Sequence, residues 1–492
     1  MIAMLAAAAA AAATPGYCDE ALCNARTLDP YFEKLATQAN PAARRGKPVH
    51  ILQIGDSHTA GDAITGAWRD LLQARYGGGG RGVLPPGRPY DGFLTRGVQA
   101  SMSAGWKVSA TFGNGSGTPR PPLGLSGFSL TSTAEGAKIG LVADPAQRFD
   151  RFVVCAVAQR NAGTLSIRVG NETSHMRLAS ITTRPECRTI RSSQSATEAQ
   201  IIAEGGPVTI TSVASFRDAG GVALSNLGVV GSQLVHFSRT DDAVLAEELR
   251  AYDPDLIVIA FGTNEGFSPH FSPFEYEIVL RTQIGRIRRL AGDVPILLLG
   301  APDASSRRPE MRNNAPGPIP AACVEPRPAP SPRPLAVAAP PPSPPPVAAV
   351  ASVVATPRPP VENPNGIAAM MAELGLAGEV TIEPEAPPAP LPVIAPPAPV
   401  LTPAPAPVSR GPIFPPAGLK AARDVQRRVA ASLNLAFWDW EARMGGRCSA
   451  VQWVKGTPAL MRGDYVHFNS AGGREIGSRL QADLDRAAAQ TR

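Results

Sequence analysis

The sequence predicts a chain of the α/β class, built on a parallel sheet and interrupted first by an all-β sandwich and then by a proline-rich insertion. Three observations carry this expectation. Short apolar runs at 48–54, 256–261 and 295–300 alternate with helical spacing at 61–76, 242–252 and 274–290, and strands covered on both faces of a parallel sheet read as continuous apolar runs. Residues 90–223 change to short glycine-punctuated runs, among them 106–112, 152–158, 164–169 and 208–213, as a sandwich of antiparallel strands requires. Between Pro316 and Pro416 lie 32 of the chain's 52 prolines, mixed with Ala and Val, a composition that cannot build a packed core.

Taken in order, residues 1–13 form an apolar, alanine-dominated run ending in small residues, which reads as a signal-like segment without a basic n-region and implies export. Residues 14–46 are a helical or extended N-terminal segment. The α/β domain is expected in three parts, at 47–89, 224–315 and 417–492, with the β insert at 90–223 and the disordered insertion at 316–416. Inside that insertion, 365–382 is free of proline and carries Ile367, Met370, Met371, Leu374 and Leu376 at near-helical spacing. It reads as a docking motif for a protein partner or as a short transient helix. The part at 417–492 opens on a helix at 417–435 with Arg423, Arg427 and Arg428 on its polar face, and ends on a helix at 470–489.

Composition narrows the function. The 492 residues are 44% hydrophobic, enough for at least one sizeable core, which excludes a fully disordered chain. A net charge of +6, from 47 basic and 41 acidic residues without a basic run, points away from nucleic acid. No later stretch approaches the roughly 20 apolar residues of a membrane span, so no stable membrane insertion is expected. Cys18, Cys23, Cys155, Cys187, Cys323 and Cys448 show no CxxC or Cys/His clustering, so neither a metal nor any other cofactor is expected. Disulfides are expected instead, in sequence order 18–23, 155–187 and 323–448, with other connectivities and free thiols left open.

Four constellations carry chemistry. Gly55-Asp56-Ser57 ends a buried run and opens a helix, so Ser57 is placed where a helix N-terminus favours developing negative charge. The same residues also make an ordinary helix-capping turn. Asp464-Tyr465-Val466-His467 spaces a carboxylate and an imidazole so that Asp464 can orient His467 as a general base. Gly262-Thr263-Asn264-Glu265 follows the run at 256–261, and Asn264 can offer a side-chain N–H to an oxyanion. Gly231, closing Asn226-Leu227-Gly228-Val229-Val230-Gly231, can offer a backbone N–H. His58 is a rival base, adjacent to the nucleophile. Trp438, Trp440 and Trp453 are candidates for stacking on sugar rings or for aromatic core.

In this order the four blocks resemble those of the SGNH/GDSL hydrolase superfamily. The resemblance implies a three-layer α/β/α, flavodoxin-like SGNH-hydrolase domain, with Ser57 as nucleophile, His467 as base and Asp464 orienting it. The Ser57 and Gly231 amides and the Asn264 side chain then form the oxyanion hole. Gly55-Asp56-Ser57-His58-Thr59-Ala60-Gly61-Asp62, Phe437-Trp438-Asp439-Trp440, Met444-Gly445-Gly446 and a β insert after the first block are similar to bacterial peptidoglycan O-acetylesterases, in which that insert resembles a carbohydrate-binding module. The resemblance implies an O-acetylated cell-wall glycan as substrate and a periplasmic or otherwise exported location. Rival expectations are an O-acetyltransferase or another carbohydrate or lipid esterase on the same scaffold, and a non-catalytic cell-wall-binding protein.

Overall fold

The structure is a computed structural model of the chain and describes residues 18–93, 95–113, 120–325 and 411–490. The signal-like run at 1–13 and the motif at 365–382 lie outside the described residues, as does all of the proline-rich insertion except its margins.

The central sheet has seven strands, in the order Cys18–Asp19, Leu22–Cys23, Ala436–Trp438, Ile296–Leu299, Leu256–Ala260, Val49–Gly55 and Val222–Gly228. The last five run parallel to one another, and the N-terminal pair closes one edge antiparallel. Every residue of Val49–Gly55 is buried, and its side chains alternate between two cores. Ile51 packs with Trp68, Leu72, Ile476 and Leu480 from helices Ala63–Tyr76 and Ser470–Gln490. Leu52 and Ile54 pack with Leu249, Ile284 and Val425 from helices Asp242–Tyr252, Pro273–Ala291 and Ala417–Ser432. The result is a mixed α/β chain with helices on both faces of a parallel sheet. Helix Ser470–Gln490 approaches Ala63–Tyr76 closely because Gly473 carries no side chain; a Cβ there would lie 2.4 Å from the Ala63 carbonyl oxygen.

Two antiparallel sheets stack beside this layer. One has the order Glu172–Arg177, Thr164–Val169, Glu198–Glu204, Lys138–Ala143, Val98–Met102. The other has the order Arg184–Ala196, Phe149–Ala158, Val208–Phe216, Phe128–Ser132, Trp106–Ala110, with Gly82–Leu84 paired to Val208–Phe216. Alternate residues of both sheets share one core, in which Ile139, Leu141, Ile167 and Ile201 meet Leu130, Val154 and Ile210.

Four differences from the sequence-based expectation have identifiable causes. Strand Gly82–Leu84 belongs to the antiparallel sheet although it precedes residue 90; three residues are too few to show an alternation. Strand Val222–Gly228 begins before 224 and forms the far edge of the parallel sheet. Its apolar run is broken by Ser225 and Asn226, which are nonetheless buried because both are hydrogen-bonded: the Ser225 hydroxyl meets His50 Nε2 at 2.7 Å and accepts from Val83 N–H, and Asn226 donates to the Thr59 carbonyl. The margins of the proline-rich stretch are packed rather than loose: Cys323 and Ile413 are buried, and Cys323 N–H donates to the Ile413 carbonyl at 2.8 Å. Arg423, expected on a polar face, is buried and pairs with Glu441.

The cysteines pair in sequence order, 18 with 23, 155 with 187 and 323 with 448. Among the described residues, no helix is long and apolar enough to cross a membrane.

One buried ionic network ties the layers together. Asp62, fully buried, accepts from both Arg69 terminal nitrogens, from Arg81, from Thr65 Oγ1 and from the Arg96 backbone N–H, while Asn226 Oδ1 accepts from Arg69 and Arg81. Burial pushes the Asp62 carboxyl up, but the two guanidinium groups outweigh it and hold it at about 2. Asp62→Ala would leave Arg69 and Arg81 buried without their anion, a loss of about 3–5 kcal/mol expected for one broken partner of a buried pair. The measurement is the denaturant unfolding midpoint, which should fall markedly for Asp62→Ala and little for a surface control such as Asp70→Ala.

Candidate active site

Strand Val49–Gly55 delivers Ser57 to the carboxyl edge of the sheet. Gly55 is required there: a Cβ would lie 2.3 Å from Thr59 Oγ1 and 2.5 Å from the Ala260 carbonyl oxygen. Asp56 then caps the short helix Ser57–Ala60, its side chain accepting from His58 N–H at 2.9 Å. Ser57, half-buried, is the first residue of that turn.

Asp464 and His467 come to Ser57 from a loop more than 400 residues away in sequence. Ser57 Oγ lies 3.0 Å from His467 Nε2, and His467 Nδ1 lies 2.8 Å from Asp464 Oδ2. A carboxylate accepts only, so Nδ1 carries the proton and Nε2 turns its lone pair to the serine hydroxyl. The other Asp464 oxygen accepts the Val466 and His467 N–H groups at 2.9 and 3.0 Å. Burial pushes the Asp464 carboxyl up, but the His467 hydrogen bond and charge and the two backbone donors hold it at about 2.

The backbone of this loop is fixed by the first of the two residues between the pair. Tyr465 adopts a left-handed φ of 61°, its N–H donates to the Arg462 carbonyl, and its carbonyl accepts from Ser305 N–H. Its ring is buried against Cys323, Ile413 and Val451, at the base of the Cys323–Cys448 disulfide.

Gly231 and Asn264 lie at the ends of the strands flanking Val49–Gly55. Val229 N–H donates to the Gly55 carbonyl at 3.1 Å, and Asp56 N–H donates to the Ala260 carbonyl at 3.3 Å, so both loops are bonded to the serine turn. Gly231 has φ +72°, and neither its N–H nor that of Ser57 has an acceptor among the described residues. Asn264 Nδ2 donates one hydrogen to the Ser232 carbonyl at 2.9 Å, which leaves its second. Two backbone donors and one amide donor at a single sheet edge can receive an oxyanion.

Three neighbours of the site make contacts that the sequence pattern does not reveal. Glu265 accepts Leu234 N–H with one oxygen at 2.7 Å and Gly262 N–H with the other at 2.9 Å, joining the Gly231 and Asn264 loops; burial pushes its carboxyl up to about 7 against those donors. Gln233 Nε2 adds a bond to the Asn264 carbonyl. His58 is not placed to act as a base, because Nδ1 faces Asp56 Oδ1 at 3.2 Å and Nε2 donates to the Val466 carbonyl at 3.0 Å. An acid three residues after a glycine and a histidine beside a serine were the available signals, but neither reveals a partner distant in sequence. Trp438, Trp440 and Trp453 are all buried, so they belong to the aromatic core, with Trp440 stacked on Phe468.

No protein-family model matches the chain, and no curated protein sequence matches it. Among solved structures the chain is similar to one described as "Peptidoglycan O-acetylesterase in action, 5 min", over 94% of this chain and 96% of that one, with 21% identity and a TM-score of 0.63. The two share a fold. A family two carbohydrate esterase from Cellvibrio japonicus aligns over 42% of this chain and 79% of its own, with 14% identity and a TM-score of 0.16, too low to bear on the fold.

Because the folded state lowers the Asp464 pKa from its ordinary 3.8 to about 2, the ionised form is the one folding favours. The stabilisation from this group is therefore complete above about pH 4 and is lost as pH falls toward 2. Carbon-detected NMR of the Asp464 carboxyl should show a midpoint well below that of an exposed aspartate such as Asp70, and Asp464→Asn should remove this part of the acid dependence of stability.

Proposed function

We propose that the chain is an SGNH-type serine esterase that removes O-acetyl groups from a cell-wall polysaccharide, most directly peptidoglycan. The observation that carries this is the relay of Ser57 Oγ, His467 Nε2 and Nδ1, and Asp464 Oδ2 at 3.0 and 2.8 Å, beside three N–H donors without an acceptor among the described residues. The fold shared with a structure described as a peptidoglycan O-acetylesterase favours the acetylated glycan as substrate.

In the proposed mechanism, His467 takes the Ser57 proton as the serine oxygen attacks the acetyl carbonyl. The tetrahedral oxyanion is received by the Ser57 and Gly231 N–H groups and the second Asn264 N–H, and Asp464 stabilises the imidazolium. Collapse breaks the ester bond, and the His467 proton passes to the sugar oxygen. Water, deprotonated by His467, then attacks the acyl-serine, and acetate leaves as the serine is reprotonated. No cofactor enters the sequence. The stacked antiparallel sheets are read as a carbohydrate-binding module that holds the glycan, the chain as acting after export in the periplasm or beyond, and the motif at 365–382 as a docking segment for a protein partner.

Release of acetate from O-acetylated peptidoglycan, followed alongside a chromogenic acetate ester, tests the proposal. Ser57→Ala and His467→Ala should abolish turnover, and unchanged rates in both would overturn it. Asn264→Ala should lower kcat by about 100- to 1,000-fold, as expected for one lost oxyanion donor. Transfer of acetyl to an added glycan in place of release as acetate would identify a transferase instead, and glycan binding without any serine-dependent turnover a non-catalytic wall-binding protein.

A further inference from the structure

The residue next to the nucleophile has both ring nitrogens committed. His58 is buried; Nε2 lies 3.0 Å from the Val466 carbonyl oxygen and Nδ1 lies 3.2 Å from Asp56 Oδ1. Both partners are acceptors, and a neutral imidazole carries one N–H. Only the doubly protonated ring satisfies both contacts. Val466 is the residue before His467, so the bond from His58 ends one peptide away from the general base. The His58 and His467 rings lie 5.5 Å apart, and the edges of Trp440 and Phe468 enclose His58 at 5.5 and 5.7 Å.

The geometry points to His58 as a positioning residue: an imidazolium anchored on Asp56 that grips the Val466 carbonyl and so keeps His467 Nε2 aimed at Ser57 Oγ. This rests on the serine-esterase reading for its catalytic consequence, whereas the charged bridge itself does not. The charged and titratable groups around the ring are Asp56 on its own turn and Asp464 and His467 on the loop it holds. Helix Thr263–Gly266 adds Thr263 Oγ1 at 3.5 Å and, beyond Asp56, the buried Glu265; Trp440 and Phe468 bring no charge. Burial pushes the His58 pKa down, but the hydrogen bond and charge of Asp56, the Val466 carbonyl and the charge of Asp464 together raise it above the ordinary value. The grip is therefore complete below the unfolded-state pKa; as pH rises through the raised one the ring keeps a single N–H, which the Asp56 carboxylate, the stronger acceptor, holds on Nδ1, and the bond from Nε2 to Val466 is released.

Two substitutions separate positioning from packing. His58→Phe keeps a ring among Trp440 and Phe468 but removes the donor, whereas His58→Gln keeps an N–H that can reach the Val466 carbonyl. On a chromogenic acetate ester, His58→Phe should lose about 10- to 100-fold in kcat with KM changed by less than about twofold, the signature of a misplaced base. His58→Gln should recover most of that loss and should lack the alkaline decline that release of the grip imposes on the parent. Equal losses in both variants, or a loss carried by KM, would overturn the inference. Nitrogen-15 NMR of the imidazoles in the full chain, with His58 assigned by its absence in His58→Gln, should show both His58 nitrogens protonated below the ordinary histidine pKa; a bare nitrogen there would overturn it as well. If the parent releases acetate no faster than Ser57→Ala, the esterase reading fails on its own, and the NMR result still decides whether His58 bridges Asp56 and Val466.

Discussion

Gly55 lies across from Gly228 on one side and from Ala260 on the other, and this shared end of three parallel strands is the constraint from which the site follows. Because the strands stop in register, the serine turn, the Gly231 loop and the Asn264 turn all leave the sheet at one level. Backbone hydrogen bonds from Val229 to Gly55 and from Asp56 to Ala260 then carry the register of the sheet directly into the loops. A shift of one residue in any strand would turn its side chains to the opposite face and dislodge its loop from the other two.

What the sheet does not fix, buried polar groups do. Glu265 spans the two flanking loops through two backbone N–H groups, and Asp62 and Asn226 join the helix behind Ser57 to the edge strand and to the entrance of the β-rich part. Such groups are costly to bury and remain only because nearly every donor and acceptor is matched. Their effect is specificity of position more than net stability: the same volume filled with apolar side chains would pack, but would not dictate where Gly231 sits relative to Asn264.

Much of this was legible in the sequence, for reasons that differ by element. Leu256–Ala260 and Ile296–Leu299 are short, wholly apolar and flanked by helical periodicity, so strand type and partner class follow from pattern alone. Ser57, Gly231, Asn264, Asp464 and His467 stood out as candidates by residue type and order, and the structure brings Ser57, His467 and Asp464 within hydrogen-bond reach. Val222–Gly228 escaped because its two polar residues are satisfied by His50, Val83, Arg69, Arg81 and Thr59, none of which is near in sequence. Glu265 and Tyr465 escaped for the same reason: their roles reside in contacts with Leu234 and with the Cys323–Cys448 pair, which no periodicity announces.

The margins of the proline-rich stretch are cross-bonded twice, by Cys323 N–H to the Ile413 carbonyl and by the reciprocal pair between Ser306 and Phe414, and the disulfide fastens them to Cys448. Tyr465, resting on this closed neck, ties the backbone between Asp464 and His467 to it, so the loop that carries the general base is anchored at both margins of an insertion with which it shares no sequence neighbourhood.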